Sequence, residues 1–202
     1  MILAFDTSSA ACTAALFDGS GACLARGDEQ IGRGHSERLV PMLAELLEGR
    51  TASRILVGVG PGSFTGIRVG IAAAHGLAIG WDAELFGMSS LALLAAVAPN
   101  GGEVATAILG GHSELFVQQF DSRGEPTSAL ANLSPTSAAA AITAELVVGS
   151  GAQQLVDARG WGEACEAWPS AANALTLPKN LRTLLPKPVY ARAPDARVQE
   201  AA

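Results

Sequence analysis

The sequence predicts an α/β protein made of two similar lobes with a cleft between them. Three observations lead to this prediction. The chain opens on a short apolar run, ILAFD at 2–6, which is typical of a buried strand. Strands and helices then alternate, and after the turn-forming sequence PNGG at 99–102 the alternation begins again. We therefore place a first lobe at 1–100 and a smaller second lobe, with an extended tail, at 101–202.

The first lobe is predicted to begin with a three-stranded meander, because Asp18-Gly19 between two apolar runs is a strong hairpin signal. A helix starts at His35, and its apolar residues recur with the 3.6-residue period of one helix face. A second helix follows a glycine-rich turn, and Ser63 can cap it. The predicted elements are strands at 2–6, 11–19, 21–29, 54–60 and 84–88, and helices at 35–48, 64–81 and 90–98.

The second lobe is predicted to repeat this pattern with shorter elements. Apolar runs at 103–109 and 114–120 flank a Gly-Gly-His-Ser turn and read as two strands. A helix is expected in 134–144 and a strand at 145–149. Residues 161–185 are expected to be helical in part, since Pro169 and Pro178 interrupt them.

Charge and composition exclude several classes of function. Hydrophobic residues make up 49 % of the chain, which is ample for a buried core. The formal net charge is -6, so the chain does not supply the positive charge on which nucleic-acid binding depends, and any role with RNA is expected to be indirect. The two lysines are Lys179 and Lys187, close to the C-terminus, which disfavours lysine chemistry in a central cleft.

Cysteines and apolar segments indicate a cytoplasmic protein. Cys12, Cys23 and Cys165 are odd in number and form no Cys-x-x-Cys pair, as expected for free thiols in a reducing compartment. The start MILAFDTSS does not resemble a signal peptide. The most apolar stretch, IAAAHGLAIGW at 71–81, is too short to span a membrane, so we expect no membrane association.

The segment after the first strand is a candidate phosphate loop. Asp6 could hold a metal–nucleotide complex, and the hydroxyls of Thr7 and Ser8 could face phosphate. A turn that hydrogen-bonds its own backbone explains the same residues equally well. The glycine-rich segment VGVGPGSFTG at 57–66 lacks the lysine of a P-loop, which favours a tight turn. The sequence therefore leaves undecided whether this segment is a vestigial loop that binds nucleotide weakly.

Neither a metal site nor a catalytic residue is predicted. His35, His75 and His112 stand far apart, and none has a second histidine or cysteine within five residues. The sequence contains no G-x-S-x-G nucleophile elbow. No cofactor is therefore expected.

A stripe of small residues marks the second helix, where Gly66, Gly70, Ala74 and Ala78 recur every four residues. Glycine inside a helix costs up to about 1 kcal/mol relative to alanine, so a compensating close contact is expected. Spacing alone leaves open whether that contact is within the chain or with another chain.

These segments resemble the TsaB family, also called YeaZ. The likeness is carried by GPGSFTGIRVGIAAAHGLAIG at 60–80, by MILAFDTSS, HSERLVPMLAELL and GMSSLALLA, and by PVYARAPDA near the C-terminus. The resemblance implies an actin-like/sugar-kinase (ASKHA) fold with two ribonuclease-H-like lobes. It further implies an accessory role beside the paralogous threonylcarbamoyl transferase TsaD. TsaD carries a metal-binding His-x-x-x-His, whereas Ser90 and Leu94 stand at that spacing here.

The same resemblance implies partners and an interface. In the family, the first two helices contact TsaD or, when the protein is alone, a second copy, and the ATPase TsaE joins the pair. We therefore expect a non-catalytic scaffold that reaches tRNA only through the complex. We also expect the apolar face of helix 35–48 to exceed what its own lobe needs. The expected interface residues are His35, Leu39, Met42, Leu43, Leu46, Leu47, Gly66, Gly70, Ala74 and Ala78.

Two other functions remain open from the sequence. The chain could be a small ATPase or kinase-like enzyme that uses the Asp6 loop, and nucleotide binding with a defined stoichiometry would favour this. It could also be a regulatory homodimer, which a dimer persisting in the presence of TsaD would favour.

Overall fold

The first lobe is a five-stranded sheet with two helices packed on one face. The computed structural model describes residues 1–99 and 102–191. Strand order is β3-β2-β1-β4-β5, with β2 antiparallel to both neighbours and β1, β4 and β5 parallel. The elements are β1 Ile2–Asp6, β2 Ala11–Phe17, β3 Cys23–Gln30, α1 His35–Leu47, β4 Arg54–Gly58, α2 Phe64–Trp81, β5 Glu84–Met88 and α3 Ser90–Ala95.

The second lobe repeats this topology. Its strands are ordered β10-β9-β6-β7-β8, with β7 antiparallel to both neighbours and β6, β9 and β10 parallel. The same arrangement in both sheets confirms the prediction of an α/β protein with two ribonuclease-H-like lobes. The elements are β6 Val104–Leu109, β7 Leu115–Phe120, β8 Ala131–Leu133, α4 Pro135–Ala141, β9 Leu146–Val148, α5 Ala152–Arg159 and β10 Glu163–Cys165.

Helix α3 joins the lobes. All six of its residues are buried, and it packs on β6 and β7 of the second sheet. Its leucines share one apolar cluster with Leu56 and Met88 of the first sheet and Phe116 and Phe120 of the second. The two sheets are therefore held together by a continuous core.

The chain returns to the first lobe after β10. The backbone N–H of Ala171 donates to Thr13 Oγ1 in β2 (2.7 Å), and Leu184 forms a β-bridge with Gly87 in β5. Farther on, Val189 N–H donates to the carbonyl of Val59 (2.8 Å). We call 166–191 the return segment. It lies within the predicted second lobe in sequence but contacts the first lobe in space.

Several short elements differ from prediction. The third helix ends at Ala95 rather than 98, and the helix expected in 134–144 covers Pro135–Ala141. The sequence analysis missed α5 and β8. Within 161–185 the structure has β10 and two short 3₁₀ turns, at Ala171–Asn173 and Lys179–Leu181, where partial helix was expected. Across the described residues no helix has the length and apolar character to cross a membrane.

Candidate partner-binding surface and inter-lobe cleft

The apolar face of α1 packs into its own lobe. Leu39, Met42, Leu43, Leu46 and Leu47 are all buried and belong to the core under the first sheet. The expectation that this face exceeds what the lobe needs is therefore wrong. These side chains are already covered by the lobe's own strands, which leave at most 7 % of any of them exposed to a partner.

His35 is buried at the start of α1. Its Nε2 lies 3.3 Å from the carbonyl oxygen of Ala11 at the start of β2. The histidine thus attaches the helix to the sheet. It was predicted to be an interface residue, and its burial corrects that prediction in the same way as for the leucines.

The small-residue stripe of α2 faces inward too. A Cβ at Gly66 would clash with the carbonyl oxygen of Thr7, and a Cβ at Gly70 would lie 2.6 Å from Thr7 Oγ1. Ala74 is fully buried, and Ala78 is half-buried against the same core. The stripe lets α2 approach the end of β1 closely. An internal contact therefore explains Gly66 and Gly70, which removes the packing argument for an interface role of this stripe.

The opposite face of α2 carries a second stripe of small residues. Ala72, Gly76 and Gly80 are exposed at the same four-residue spacing. A Cβ at Gly76 or Gly80 would meet no atom within 4 Å, so nothing inside the described chain explains these glycines. Ile79 beside them is 83 % exposed. The sequence analysis missed this stripe, although its spacing was available.

Helix α1 extends the exposed surface. It packs beside α2, and Val40 is 63 % exposed, while Pro41 and Ala44 are also exposed. We call a group of seven exposed residues with small or apolar side chains, chosen from these two helices, the outer face. They are Val40, Pro41, Ala44, Ala72, Gly76, Ile79 and Gly80.

The Asp6 carboxylate is held inside the protein. Its Oδ1 accepts hydrogen bonds from the Ser8 N–H (2.7 Å) and Ser8 Oγ–H (2.6 Å), and its Oδ2 accepts one from Ser90 Oγ (2.5 Å). Gly58 leaves room for the carboxylate, since a Cβ there would overlap Oδ2. Asp6 therefore links β1 to the start of α3.

Thr7 is likewise used internally, because its Oγ1–H donates to the carbonyl of Gly66 (2.7 Å). Of the three residues predicted as a phosphate loop, Ser8 lines the inter-lobe cleft, whereas Asp6 and Thr7 are not in its lining. The self-bonded turn, one of the two alternatives, is what forms. The ATPase or kinase hypothesis relied on Asp6 facing the cleft and loses that support.

The inter-lobe cleft is a cavity of about 850 Å³. From the first lobe it is lined by Ser8, Ser9, Ser63, Phe64 and Arg68, and from the second by residues including Leu109, Gly110, Phe116 and Ser150. Trp168, Val189 and Tyr190 of the return segment also line it. Arg68 is the one charged residue among the described residues that line it.

Arg68 connects the start of α2 to the return segment. Its guanidinium carbon lies 3.5 Å from the centre of the Phe64 ring, and its Nε donates to Tyr190 Oη (3.1 Å). The rings of Phe64 and Tyr190 stack with centroids 5.7 Å apart. The sequence analysis missed this group because Arg68 and Tyr190 are 122 residues apart along the chain.

The Gly110–Ser113 turn lies at the edge of the cleft. Gly110 and Gly111 line it, and His112 and Ser113 have positive φ angles of 58° and 60°. In the strand next to this turn, Asn132 donates to Glu114, while its Oδ1 is buried with no partner among the described residues. The structure thus places the turn beside the cleft.

Metal-ligating side chains do not form a cluster among the described residues. Within 1–99 and 102–191 no three His, Cys, Asp or Glu side chains lie close enough together to hold a metal ion. At the positions that the family resemblance compared with a metal-binding pair, Ser90 donates to Asp6 and Leu94 lies in the core.

The surroundings of three ionisable side chains in the first lobe shift their pKa values. Arg38 bonds Glu29 of β3 and Glu45 of its own helix, and these hydrogen bonds lower the pKa of both carboxyl groups below their usual range. Burial, with a smaller contribution from Glu29, raises the pKa of the Cys12 thiol to about 11. Cys12 is therefore an unreactive core residue.

Comparison with known proteins assigns the family. A family model described as TsaD, tRNA N6-adenosine threonylcarbamoyltransferase, matches residues 29–155, which is more than half of the chain. The tRNA threonylcarbamoyladenosine biosynthesis protein TsaB of Escherichia coli is 39 % identical over 100 residues, 46 % of this chain and 42 % of that protein. TsaB of Haemophilus influenzae is 38 % identical over 131 residues, 58 % of this chain and 52 % of that protein.

The matches thus cover about half the length of these curated relatives. A solved structure extends the likeness to nearly the whole chain. It is an uncharacterized Pseudomonas aeruginosa protein with similarity to peptidase YEAZ, with a TM-score of 0.80 and 31 % identity over 95 % of this chain and 99 % of that one. The chain therefore belongs to the TsaB (YeaZ) family.

Proposed function

We propose that this chain is a non-catalytic scaffold subunit for the formation of threonylcarbamoyladenosine in tRNA. It binds TsaD through the outer face of α1 and α2, stabilises TsaD and helps to recruit TsaE. It acts in the cytoplasm without a cofactor and reaches tRNA through the complex. The observation that carries the proposal is the pair of exposed glycines, Gly76 and Gly80, which no internal contact explains.

The physical argument begins with the cost of those glycines. Each lowers helix stability by up to about 1 kcal/mol relative to alanine. A partner helix that crosses α2 closely at Ala72, Gly76 and Gly80 would recover that cost through contacts that a larger side chain would prevent. Ile79 and Val40 supply apolar anchors beside the crossing.

The size of the outer face is consistent with a stable interface. A specific interface buries about 800 Å² on each partner, which two adjacent helical faces can supply. Such a face can also serve a second copy of the chain. We therefore propose that the isolated chain dimerises through it and that TsaD displaces that second copy.

An accessory role also agrees with the Asp6 loop. Its carboxylate is buried and accepts three hydrogen bonds from Ser8 and Ser90, so in this proposal it holds β1 and α3 together instead of binding a metal–nucleotide complex. The net charge of -6 favours contact with tRNA through partners, because phosphate binding depends on positive charge. The transfer chemistry is therefore assigned to TsaD.

The first experiment measures association. The chain is co-expressed with TsaD from the same organism, and the complex is isolated by size-exclusion chromatography. Ile79→Asp should prevent co-elution, because it places a carboxylate in an apolar contact. The matched control is Leu185→Asp, which alters an exposed leucine on the return segment and should leave co-elution unchanged. Co-elution of the folded Ile79→Asp variant at the parent level would contradict the proposed surface.

A second experiment measures activity. The chain alone, incubated with tRNA and the threonylcarbamoyl adenylate, should give no modified tRNA, whereas addition of TsaD and TsaE should. Modification at a rate proportional to the concentration of this chain, with TsaD rigorously absent, would exclude a scaffold role. A dimer that survives an excess of TsaD would instead favour the regulatory homodimer.

A further inference from the structure

The inter-lobe cleft presents hydrogen-bond donors and one positive charge. Arg68 is held by stacking on Phe64 and by its Nε bond to Tyr190. Its two terminal amino groups have no hydrogen-bond or ion-pair partner within 1–99 and 102–191, and the residue lines the cavity. A positioned guanidinium with unused donors binds a compact anion well, since its fork matches carboxylate and phosphate geometry.

Three serines in the lining add donors of the same kind. Ser9, Ser63 and Ser150 each accept a hydrogen bond from a backbone N–H, those of Ala11, Gly66 and Leu109 respectively. Each hydroxyl oxygen is thus occupied as an acceptor, while its proton can be donated to a ligand. The cleft therefore offers donors to a bound molecule from both lobes.

The remaining lining is apolar and aromatic. Phe64, Phe116, Trp168 and Tyr190 contribute rings, and Ile108 and Leu109 contribute aliphatic surface. A cavity of about 850 Å³ lies within the roughly 300–1,000 Å³ range of small-molecule sites, and rings favour planar ligands by stacking. One guanidinium is too little charge to neutralise a triphosphate.

We propose that the inter-lobe cleft binds a small molecule that joins one compact anionic group, a carboxylate or a phosphomonoester, to a planar ring. Arg68 and the serine hydroxyls bind the anion, while Tyr190 contacts the ring. The site is separate from the outer face, so this proposal is independent of the binding of TsaD.

The test uses two fluorescent dyes that share a ring system. Anilinonaphthalene sulfonate carries one anionic group, and phenylnaphthylamine carries none. Both should bind the intact chain with one site each. Arg68→Met should weaken binding of the sulfonate about tenfold, as expected for loss of a charge-assisted contact, and should weaken the neutral dye much less. Equal losses for the two dyes would contradict a contact between Arg68 and the anion. The matched control, Arg26→Met, removes an exposed arginine outside the cleft and should change neither.

A second variant tests the ring contact. Tyr190→Ala should weaken both dyes, because it removes an aromatic surface and not a charge. Each variant is first shown to be folded by its circular dichroism and thermal unfolding. Equal losses of sulfonate binding in Arg68→Met and Arg26→Met, or unchanged binding of both dyes in Tyr190→Ala, would overturn the proposal.

Competition then identifies the source of the anion. Displacement of the sulfonate dye by adenosine monophosphate supports a phosphomonoester, and displacement by indole acetate supports a carboxylate. Displacement by neither would mean that only dyes bind, and the proposal would fail. Stronger displacement by magnesium ATP than by the monophosphate would also overturn it, since the site would then be one for polyphosphate.

Discussion

Substituting Gly76 by leucine should stabilise the isolated chain and, in the same variant, weaken its association with TsaD. Most interface substitutions leave monomer stability unchanged or lower it. Here the substitution should raise the stability of the isolated chain but lower its affinity for TsaD. The reason is that Gly76 destabilises the helix and, in our proposal, lets the partner helix approach closely. Both effects are measured on the same variant, and the prediction holds only if both are observed.

The magnitude follows from the surroundings of Gly76. A Cβ there would meet no atom within 4 Å, so no steric penalty offsets the gain in helix propensity. Replacing an interior helical glycine by alanine gains about 0.8–1 kcal/mol, and leucine is nearly as good. For a chain of this size, that corresponds to a rise in Tm of about 2–4 °C.

The assay combines thermal unfolding of the variant alone with its affinity for TsaD. Leucine at a close helix crossing holds the partner away, and we expect at least about a tenfold loss of affinity, as at other central interface positions. Ala140→Leu is the matched control, because it enlarges an exposed small residue on α4, away from the outer face. A variant that melts higher than the parent and still binds TsaD with the parent's affinity would refute the reasoning.

Three further predictions follow from the core of the first lobe. Gly70→Leu should lower the Tm of the chain alone, since overpacking costs about 1–3 kcal/mol or more, and a Tm at the parent's value would contradict the inward position of the stripe. Asp6→Ala should cost roughly 2–4 kcal/mol in denaturant unfolding, because it removes the acceptor of the buried Ser90 hydroxyl and of the Ser8 N–H and hydroxyl. A free energy of unfolding equal to the parent's would contradict this role of Asp6. Cys12 should resist thiol reagents at pH 8 while exposed Cys23 reacts. Because its folded pKa is raised, Cys12 should contribute stability that is complete below pH 9 and lost as the pH rises toward 11, so Cys12→Ala should show a flatter stability profile there.

Much of the fold was predictable because local signals agreed with it. The Asp18-Gly19 turn joins β2 to β3 as expected, and α2 covers the predicted range with Ser63 accepting a hydrogen bond from Gly66 N–H. Helix α5 was missed because AQQLVDAR contains too few apolar residues for a clear period. The three-residue strands β8 and β10 were too short to show alternation, whereas β9 was predicted at 145–149 from its apolar run.

The site was harder to predict because orientation is a tertiary property. Helix α2 carries small residues on two faces, one through Gly70 and one through Gly76, and spacing cannot tell which of them faces the sheet. The direction of the Asp6 carboxylate depends on Ser90, which is 84 residues away in sequence. The pairing of Arg68 with Tyr190 depends on the path of the return segment. Only the assembled fold determines such contacts.

The return segment has a consequence for how the chain folds during synthesis. Thr13 and Ala171, which are 158 positions apart, form a hydrogen bond. The carbonyl of Val59 likewise receives its hydrogen bond from the N–H of Val189, near the end of the described residues. The first lobe emerges from the ribosome early, but its last contacts become available only when the chain is nearly finished. Such distant pairings slow folding. A nascent chain stalled after β10 should therefore leave the earlier lobe incompletely packed and open to proteolysis, although all of its own strands have been synthesised.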